Sequence, residues 1–595
     1  MIGSAMFSMT AVAQGLPRGF APGEELLMDE YLQNALNNPN RAGITTPPTL
    51  PVRTAAQWEE SQALVITWTG FPAVLREIVR AAQTECKVII HCTDSNSVKS
   101  NLNTHSVPLT NVMFIETEYN SIWIRDYGAN TCYLNDVDSL VLIDWVYNRP
   151  RPDDDAIPEA YSSLLGIPLY QTSTAPTDLM NTGGNWMVDG LGTAFASELI
   201  LDENDGAGDF SLNYPTHTET EINQIMSDFH GISRYIKMPT LPYDGIHHID
   251  MHMKLLDEKT LLVGQFPAGV SDGPQIEANI QYILNNFTNA WGDPYKVVRV
   301  PMPSSTGGNY PGGPFGNASY RTYSNFVIVN KTVIMPVYRE QFDTTAVRVI
   351  RESMPGYRIV TIDADNSSGN SDLNQNIVSQ SGVIHCITHV VGVSDPLRIV
   401  HNYLSDTYDD VNPYQVDAIV QHKTGIANAT LYWTTDTTAA YTAVNMTLTN
   451  SSTDTWTGYI PAQPNGSTIF YYIHGQANSG KQQVRPMTAP GGWWKFKVIG
   501  SIMAVEENIA DVFSEPVFPN PSKGITCIPF HTSRPLSGKL YVTDMAGRVI
   551  EQLYAGEFKQ GESKYFVNTA QWNAGIYLIV AGTNEGTITQ KLVVR

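Results

Sequence analysis

Gly245-Ile246-His247-His248-Ile249-Asp250-Met251-His252 and Gly382-Val383-Ile384-His385-Cys386-Ile387-Thr388-His389, laid side by side without gaps, agree at the glycine and at both outer histidine positions. Such an echo marks an internally repeated strand element whose copies have diverged in chemical role. Alternate side chains of a strand share a face, so His248, Asp250 and His252 are expected to line up together. On the same reasoning His385 and His389 face away from Cys386, whose acid/base partner must come from elsewhere. His248, with Asp250 beside it, is the candidate. A thiol, an imidazole and a carboxylate are the equipment for thiol chemistry on a cationic substrate; on residue types alone a cysteine protease fits as well. The plain structural alternative is a core thiol at Cys386.

Outward from these stretches the chain has a β-α-β rhythm. Ala63 to Trp68 reads as an apolar strand, Pro72 to Thr84 carries helical spacing in Val74, Leu75, Ile78, Val79 and Ala82, and Lys87 to His91 is again a strand. Ile280 to Phe287 and Thr344 to Ser353 are expected helices, Tyr295 to Val300 and Tyr357 to Val360 strands. Phe326 to Val329 and Thr332 to Met335 form a hairpin about Asn330-Lys331. Mixed α/β character is therefore expected to residue 404. Beyond it Val416, Ala418, Val420, Leu431, Trp433, Ile469, Tyr471 and Ile473 alternate with polar residues, the pattern of a β-sandwich over 405–500. A last block, 515–595, reads as a small β-sandwich, with a linker over 501–514 before it. Residues 14–52, rich in Pro, Asn and Gly, read as a linker.

With 595 residues, 42% hydrophobic and 16% charged, the chain belongs to the folded class and is long enough for several domains. The formal net charge of −22 repels phosphate backbones and attracts cations, which argues against nucleic acid as a partner. No apolar run is long enough to span a membrane. Residues 1–13 end in Ala11-Val12-Ala13, which suits signal peptidase, so a leader remnant and export are expected. The five cysteines do not form a disulfide framework. Cys86 and Cys92 would stand roughly 20 Å apart along a strand, where a bridge needs about 6 Å.

Other stretches carry candidate chemistry. In Trp123-Ile124-Arg125-Asp126-Tyr127-Gly128 an aspartate between aromatic residues suits a guanidinium, while an Arg125–Asp126 ion pair is the structural alternative. Asn181-Thr182-Gly183-Gly184-Asn185-Trp186 is either a tight turn or a close backbone approach to ligand. In Tyr147-Asn148-Arg149-Pro150-Arg151-Pro152 two arginines separated by a proline point the same way and could clamp a carboxylate; pairing with Asp153 to Asp155 is the alternative. The acidic runs Asp153 to Asp155 and Asp202 to Asp205 lack the spacing of an EF-hand loop and read as solvated loops, with structural calcium left open.

Trp-x-Arg-Asp-Tyr, Tyr-Asn-Arg-Pro-Arg-Pro, Thr-Gly-Gly-Asn, His-x-Asp, Tyr-x-Asn and His-Cys-x-Thr-His occur in that order. Together they resemble the bacterial, Porphyromonas-type peptidylarginine deiminases, in the agmatine and peptidylarginine branch of the guanidino-modifying enzymes. The resemblance implies an α/β pentein domain over 53–404, a propeller of ββαβ-type modules about a pseudo-fivefold axis, and no metal or other cofactor. It implies Cys386 as the nucleophile, Asp126 and Asp250 as guanidinium ligands, His248 as acid and base, and Asn325 beside the nucleophile. Trp123 would wall the slot, and Arg149 and Arg151 would bind the carboxylate of a C-terminal arginine. The family places a tyrosine three residues before the catalytic histidine; here that position is Gly245, and the nearby Tyr243 is the expected substitute. The implied activity is conversion of peptide arginine to citrulline through a Cys386 thiouronium. An agmatine or free-arginine deiminase and a non-catalytic arginine-binding adhesin are the alternatives.

The final block resembles the C-terminal sorting domain of the type IX secretion system, through Pro519-Asn520-Pro521-x-x-Gly524, Asp544-x-x-Gly547, Gly575-x-Tyr577 and Lys591-Leu592-Val593-Val594. That implies the secretion machinery as a partner and a secreted or outer-membrane-surface location. Residues 405–500 look like an immunoglobulin-like module. Physical reasoning adds one expectation: two carboxylates beside Cys386 raise its pKa, and a bound guanidinium helps ionise it.

Overall fold

The computed structural model describes residues 15–207, 210–312, 318–366, 376–499, 512–513, 516–532, 534–544, 547–583 and 586–595. The leader remnant expected over 1–13, and all of the 501–514 linker but Val512 and Phe513, lie outside them. The described residues fall into two compact units, 1–498 and 499–595.

The first unit repeats one connectivity. Strand Ser61–Thr67 pairs antiparallel with His389–Gly392 and, through helix Pro72–Ala82, parallel with Lys87–Cys92. Pro72 opens that helix, and Val74, Leu75, Ile78, Val79 and Ala82 are all buried, as their spacing predicts. The same antiparallel-then-parallel pattern recurs about Ser139–Tyr147, between Asn130–Leu134 and Leu169–Thr172. It recurs about Thr193–Ser197, between Met187–Val188 and Arg234–Met238, with helix Glu219–His230 as the crossover. Thr260–Gln265 lies between Met253–Leu255 and Lys296–Pro301, with helix Gly273–Asn286. Thr332–Val337 lies between Val327–Val329 and Arg358–Asp363, with helix Glu340–Ser353. The Asn330-Lys331 hairpin is as expected, and Asn330 takes the left-handed φ of 48° that its turn requires. Each unit is too thin to bury its own apolar face. A common core from Val65 through Ile334 to Val391 covers them jointly.

Two further antiparallel sheets complete this unit. Arg398–Val400, Tyr414–Gln421, Thr455–Ile460 and Thr447–Asn450 form one, and Thr442–Asn445, Ile426–Thr434, Thr468–Ala477, Gln482–Arg485 and Trp494–Lys497 the other. The alternating residues Val416, Ala418, Val420, Leu431, Ile469, Tyr471 and Ile473 are all buried in a shared core. The second unit is also β-rich. It has a sheet of Val512–Phe513, Ile525–Thr532 and Gly561–Asn568, and another ordered Val549–Phe558, Leu536–Asp544, Gly575–Thr583, Gly586–Val594. Ile528, Leu540, Val542, Ile579 and Leu592 fill its core.

Two local expectations change. The stretch read as a linker over 14–52 packs onto the first unit: helix Met28–Ala35 buries Met28, Tyr31, Leu32 and Ala35 against Val146, Met180 and Tyr214. Its apolar residues recur at helical spacing, but the Pro- and Asn-rich flanks conceal them. The echoed stretches are also not strands at their polar residues. Ile249–Met251 and His385–Ile387 are single 3₁₀ turns, each leading into a strand, Met253–Leu255 and His389–Gly392.

Candidate functional site

Short non-strand segments stand ahead of the corresponding strands of the other units. Helix Ile124–Tyr127 precedes Asn130–Leu134, turn Gly183–Asn185 precedes Met187–Val188, and a bend at Tyr323-Ser324 precedes Val327–Val329. Gly184, Asp250 and Cys386 are each the middle residue of a 3₁₀ turn, and Asp126 and Asn325 stand at the same end of their strands. A turn short of a strand directs its side chain beyond the strand end, and these ends converge. The ungapped alignment is off by one residue: it matches Asp250 with Ile387, whereas the folded turns match Asp250 with Cys386, each the middle residue of its 3₁₀ turn.

A guanidinium lies at the point of convergence, and it belongs to Arg18. Its Nε and Nη2 donate to the two oxygens of Asp126, both at 2.9 Å. Nη1 and Nη2 reach Asp250 at 3.2 and 3.3 Å. Nη1 stands 2.6 Å from Cys386 Sγ. The guanidinium carbon is one bond further, so the sulfur lies within about 4 Å of it, close to the separation of reacting atoms before attack. Arg18, Asp126, Asp250 and Cys386 are all buried. A Cβ at Gly184 would run into Arg18 Nη2, His248 Nδ1 and Asp126 Oδ1, and one at Gly183 into the Arg125 carbonyl. The two glycines serve both as a tight turn and as a close backbone approach.

Around this centre the carboxylates are held in turn. Asp250 Oδ2 accepts from His385 Nδ1 at 2.8 Å, and His385 Nε2 lies 2.7 Å from Gln57 Nε2. That pair of partners suits a neutral imidazole with its proton on Nδ1, in keeping with a pKa pushed well down by burial, Arg125 and Lys254. Asn325 takes the His385 N–H at 3.0 Å and the Cys386 thiol at 3.3 Å on its Oδ1, while its Nδ2 donates to the Asp250 carbonyl at 3.2 Å. It thus fixes both turns. His248 Nδ1 is 3.6 Å from Asp126 Oδ1, and neither ring nitrogen makes a hydrogen bond. Arg125 forms no ion pair with Asp126; its Nε donates to the His385 carbonyl. His252, expected to share the face of His248 and Asp250, is buried without a hydrogen bond to either ring nitrogen. The 3₁₀ turn has rotated it away.

The electrostatics follow from burial against pairing. Burial opposes ionisation of Asp126 and Asp250, yet Arg18 outweighs it and holds both below the usual carboxylate range, with His248 helping at each. Burial pushes the Cys386 thiol far up; Arg18 pulls against it, and Asp250 and Asp126 add to the rise. Burial and then Arg18 bring His248 down to about 3, so it is neutral while the slot holds a cation.

The remaining expected residues divide. Trp123 is buried, and its Nε1 donates to the Leu16 carbonyl at 2.8 Å. Arg151 grips the Glu24 carboxylate through Nε at 2.7 Å and Nη2 at 2.9 Å, and its Nη2 also donates to the Pro17 and Gly19 carbonyls at 2.8 and 2.9 Å. Arg149 does not share that carboxylate. It donates to the Asn148 carbonyl and lies over the Phe20 ring, 4.5 Å from its centroid. The alternative pairing with Asp153 to Asp155 is not adopted: Asp154 accepts from Asn120 and Ser121, and Asp155 pairs with Arg41. Tyr243 is 53% exposed, packs its ring over Gly312 and joins none of these groups. Gly245 opens onto free space. Sequence reasoning missed His385 and Arg18. Arg18 carried a signal, being the sole charged residue of positions 1–23. His385 carried none, because a strand reading turns it away.

Residues 53–391 match the family model described as Porphyromonas-type peptidyl-arginine deiminase, and residues 516–595 the one described as Secretion system C-terminal sorting domain. A Mycoplasma mycoides protein carrying the name agmatine deiminase is 25% identical over 303 residues, 47% of this chain and 76% of its own length. One of the same name from Legionella pneumophila is 27% identical over 285 residues, covering 47% of this chain and 75% of its own. A solved structure named agmatine deiminase superposes with a TM-score of 0.50 at 21% identity, over 60% of this chain and 99% of that one. An arginine deiminase from Porphyromonas gingivalis gives 0.48 at 20% identity, over 58% and 99%.

Proposed function

The chain belongs to the Porphyromonas-type peptidyl-arginine deiminase family, and from that premise we propose that it converts peptide arginine, C-terminal arginine foremost, to citrulline and ammonia. It is a hydrolase of the guanidino C–N bond. The observation that carries the reading is a guanidinium clamped side-on by Asp126, backed by Asp250, with Cys386 Sγ against it. The substrate cation stabilises the thiolate that burial disfavours. The thiol proton passes to neutral His248 beside Asp126 as the sulfur attacks the guanidinium carbon, and His248 hands that proton to the departing nitrogen as the C–N bond breaks and ammonia leaves. The resulting thiouronium is hydrolysed by a water that His248 deprotonates; the C–S bond breaks, leaving citrulline and the thiolate. Asn325 and His385 are positioning residues. The five recurrent units are proposed to close as a pentein propeller about this centre.

Arg151 supports the substrate class. It holds a carboxylate next to the main chain of a slot-bound arginine, and agmatine offers no carboxylate. The names of the relatives favour agmatine as the second reading. The sorting-domain match supports export by type IX machinery with surface attachment, and the two sheets over 397–498 support an immunoglobulin-like accessory module.

The test is citrulline or carbamoylputrescine release from a C-terminal-arginine peptide, an internal-arginine peptide, free arginine and agmatine. The native chain, Arg18→Ala and Cys386→Ala are compared. Turnover of the C-terminal peptide by Arg18→Ala, lost in Cys386→Ala, is expected. Preference for agmatine overturns the substrate class, and peptide binding without product moves the adhesin reading forward.

A further inference from the structure

We propose that Arg18 is the enzyme's own first substrate: residues 15–24 hold it in the guanidinium slot, Cys386 deiminates it in cis, and the citrulline formed releases the segment. The inference rests on the deiminase reading above. Of residues 15–20 only Arg18 is buried; its neighbours are half-exposed. What holds them is generic to a peptide. Arg18 N–H donates to the Gln380 carbonyl at 3.0 Å, Trp123 takes the Leu16 carbonyl, and Arg151 takes the carbonyls either side of Arg18. Glu24, reached through a turn in which its carboxylate also accepts the Ala21 N–H, puts a carboxylate in the Arg151 fork. The segment thus offers the slot a guanidinium and the clamp an anion, the two groups of a C-terminal arginine.

A structural arginine needs its two carboxylates but has no use for a nucleophilic sulfur against its guanidinium. The reaction is balanced with water alone. Cys386 Sγ bonds to the Arg18 guanidinium carbon as one C–N bond breaks and ammonia leaves; water then replaces sulfur, and Arg18 becomes citrulline. The neutral ureido group can no longer compensate Asp126 and Asp250, which are left as buried like charges. The segment is then held only by its outer contacts, and the slot opens. Until that turnover a tethered arginine, at an effective concentration in the millimolar range, excludes external substrate.

The test is peptide mapping of position 18 in the full chain produced in heavy-oxygen water, against Cys386→Ala made alongside. Citrulline at 18 bearing the heavy oxygen in the native chain, and arginine in Cys386→Ala, is expected. Cys386→Ala mixed with active Arg18→Ala should keep its arginine, since the buried side chain is reachable in cis only. The segment 15–24 should also be cut by protease about tenfold faster in the native chain than in Cys386→Ala, as expected for a released strap. Intact arginine at 18 in a chain that turns over external peptide overturns the proposal, as does conversion of Cys386→Ala in the mixture. If neither the native chain nor Arg18→Ala deiminates any external substrate, it is the deiminase reading that has failed.

Discussion

The sandwich core over 397–498 and the turns of the candidate site are equally buried, but they are held by opposite means. Leu431, Ile469 and Ile473 are buried in an apolar core, and their stability comes from area removed from water. Asp126, Asp250, Arg18 and Cys386 meet one another, and each is tolerable in the interior only because the others are there. The first kind of core degrades smoothly when an atom is removed; the second fails in function when a charge is removed.

Substitutions at the two places sharpen that contrast. Asp126→Asn should lower kcat/KM for arginine peptides about a thousandfold, since it breaks a buried charge pair in the substrate complex. In an Arg18→Ala background, where the change leaves no buried cation unpaired, its thermal transition should stay close to that of the parent; a comparable loss of both would erase the distinction. Leu431→Ala should do the reverse, destabilising by about 2–5 kcal/mol with kcat/KM unchanged, as read by chemical denaturation and assay.

The thiol gives a gentler test. Burial and two carboxylates hold Cys386 above its ordinary range, so little thiolate exists near neutrality. In Arg18→Ala, iodoacetamide inactivation should accelerate about tenfold per pH unit from pH 6 to 8. Added agmatine short of saturation should speed it at fixed pH, because its cation restores the lowering influence that Arg18 exerts. A rate flat across that range would mean a thiolate already formed without any cation. The smallest effect is expected at Gly245, where a side chain meets open space. Gly245→Tyr should lower KM for C-terminal-arginine peptides by about threefold, the gain from one aromatic contact, and leave agmatine unchanged.

How much was legible follows the same divide. The sandwich strands were readable because alternation reports a half-buried sheet directly. Helix Pro72–Ala82 was readable from its proline and its apolar spacing. The site residues were recognisable as motifs, yet their geometry was misread. A 3₁₀ turn of three residues has no period to detect, so His252 was placed with Asp250 and His385 was turned away from it. Arg149 and Arg151 share a motif but not a partner, because Phe20 and Glu24 come from a segment whose composition hid its packing.

By itself the sequence determined the chemistry available: a thiol, an imidazole and two carboxylates set in repeated glycine-marked stretches, within an acidic chain suited to cations. Local pattern suffices there, since residue type and spacing carry that information. Only the tertiary structure decided that the segments carrying Asp126, Asp250 and Cys386 meet, that His385 supports Asp250, and that the cation in the slot is Arg18. Those facts depend on contacts between residues as much as 368 positions apart, which no local period encodes.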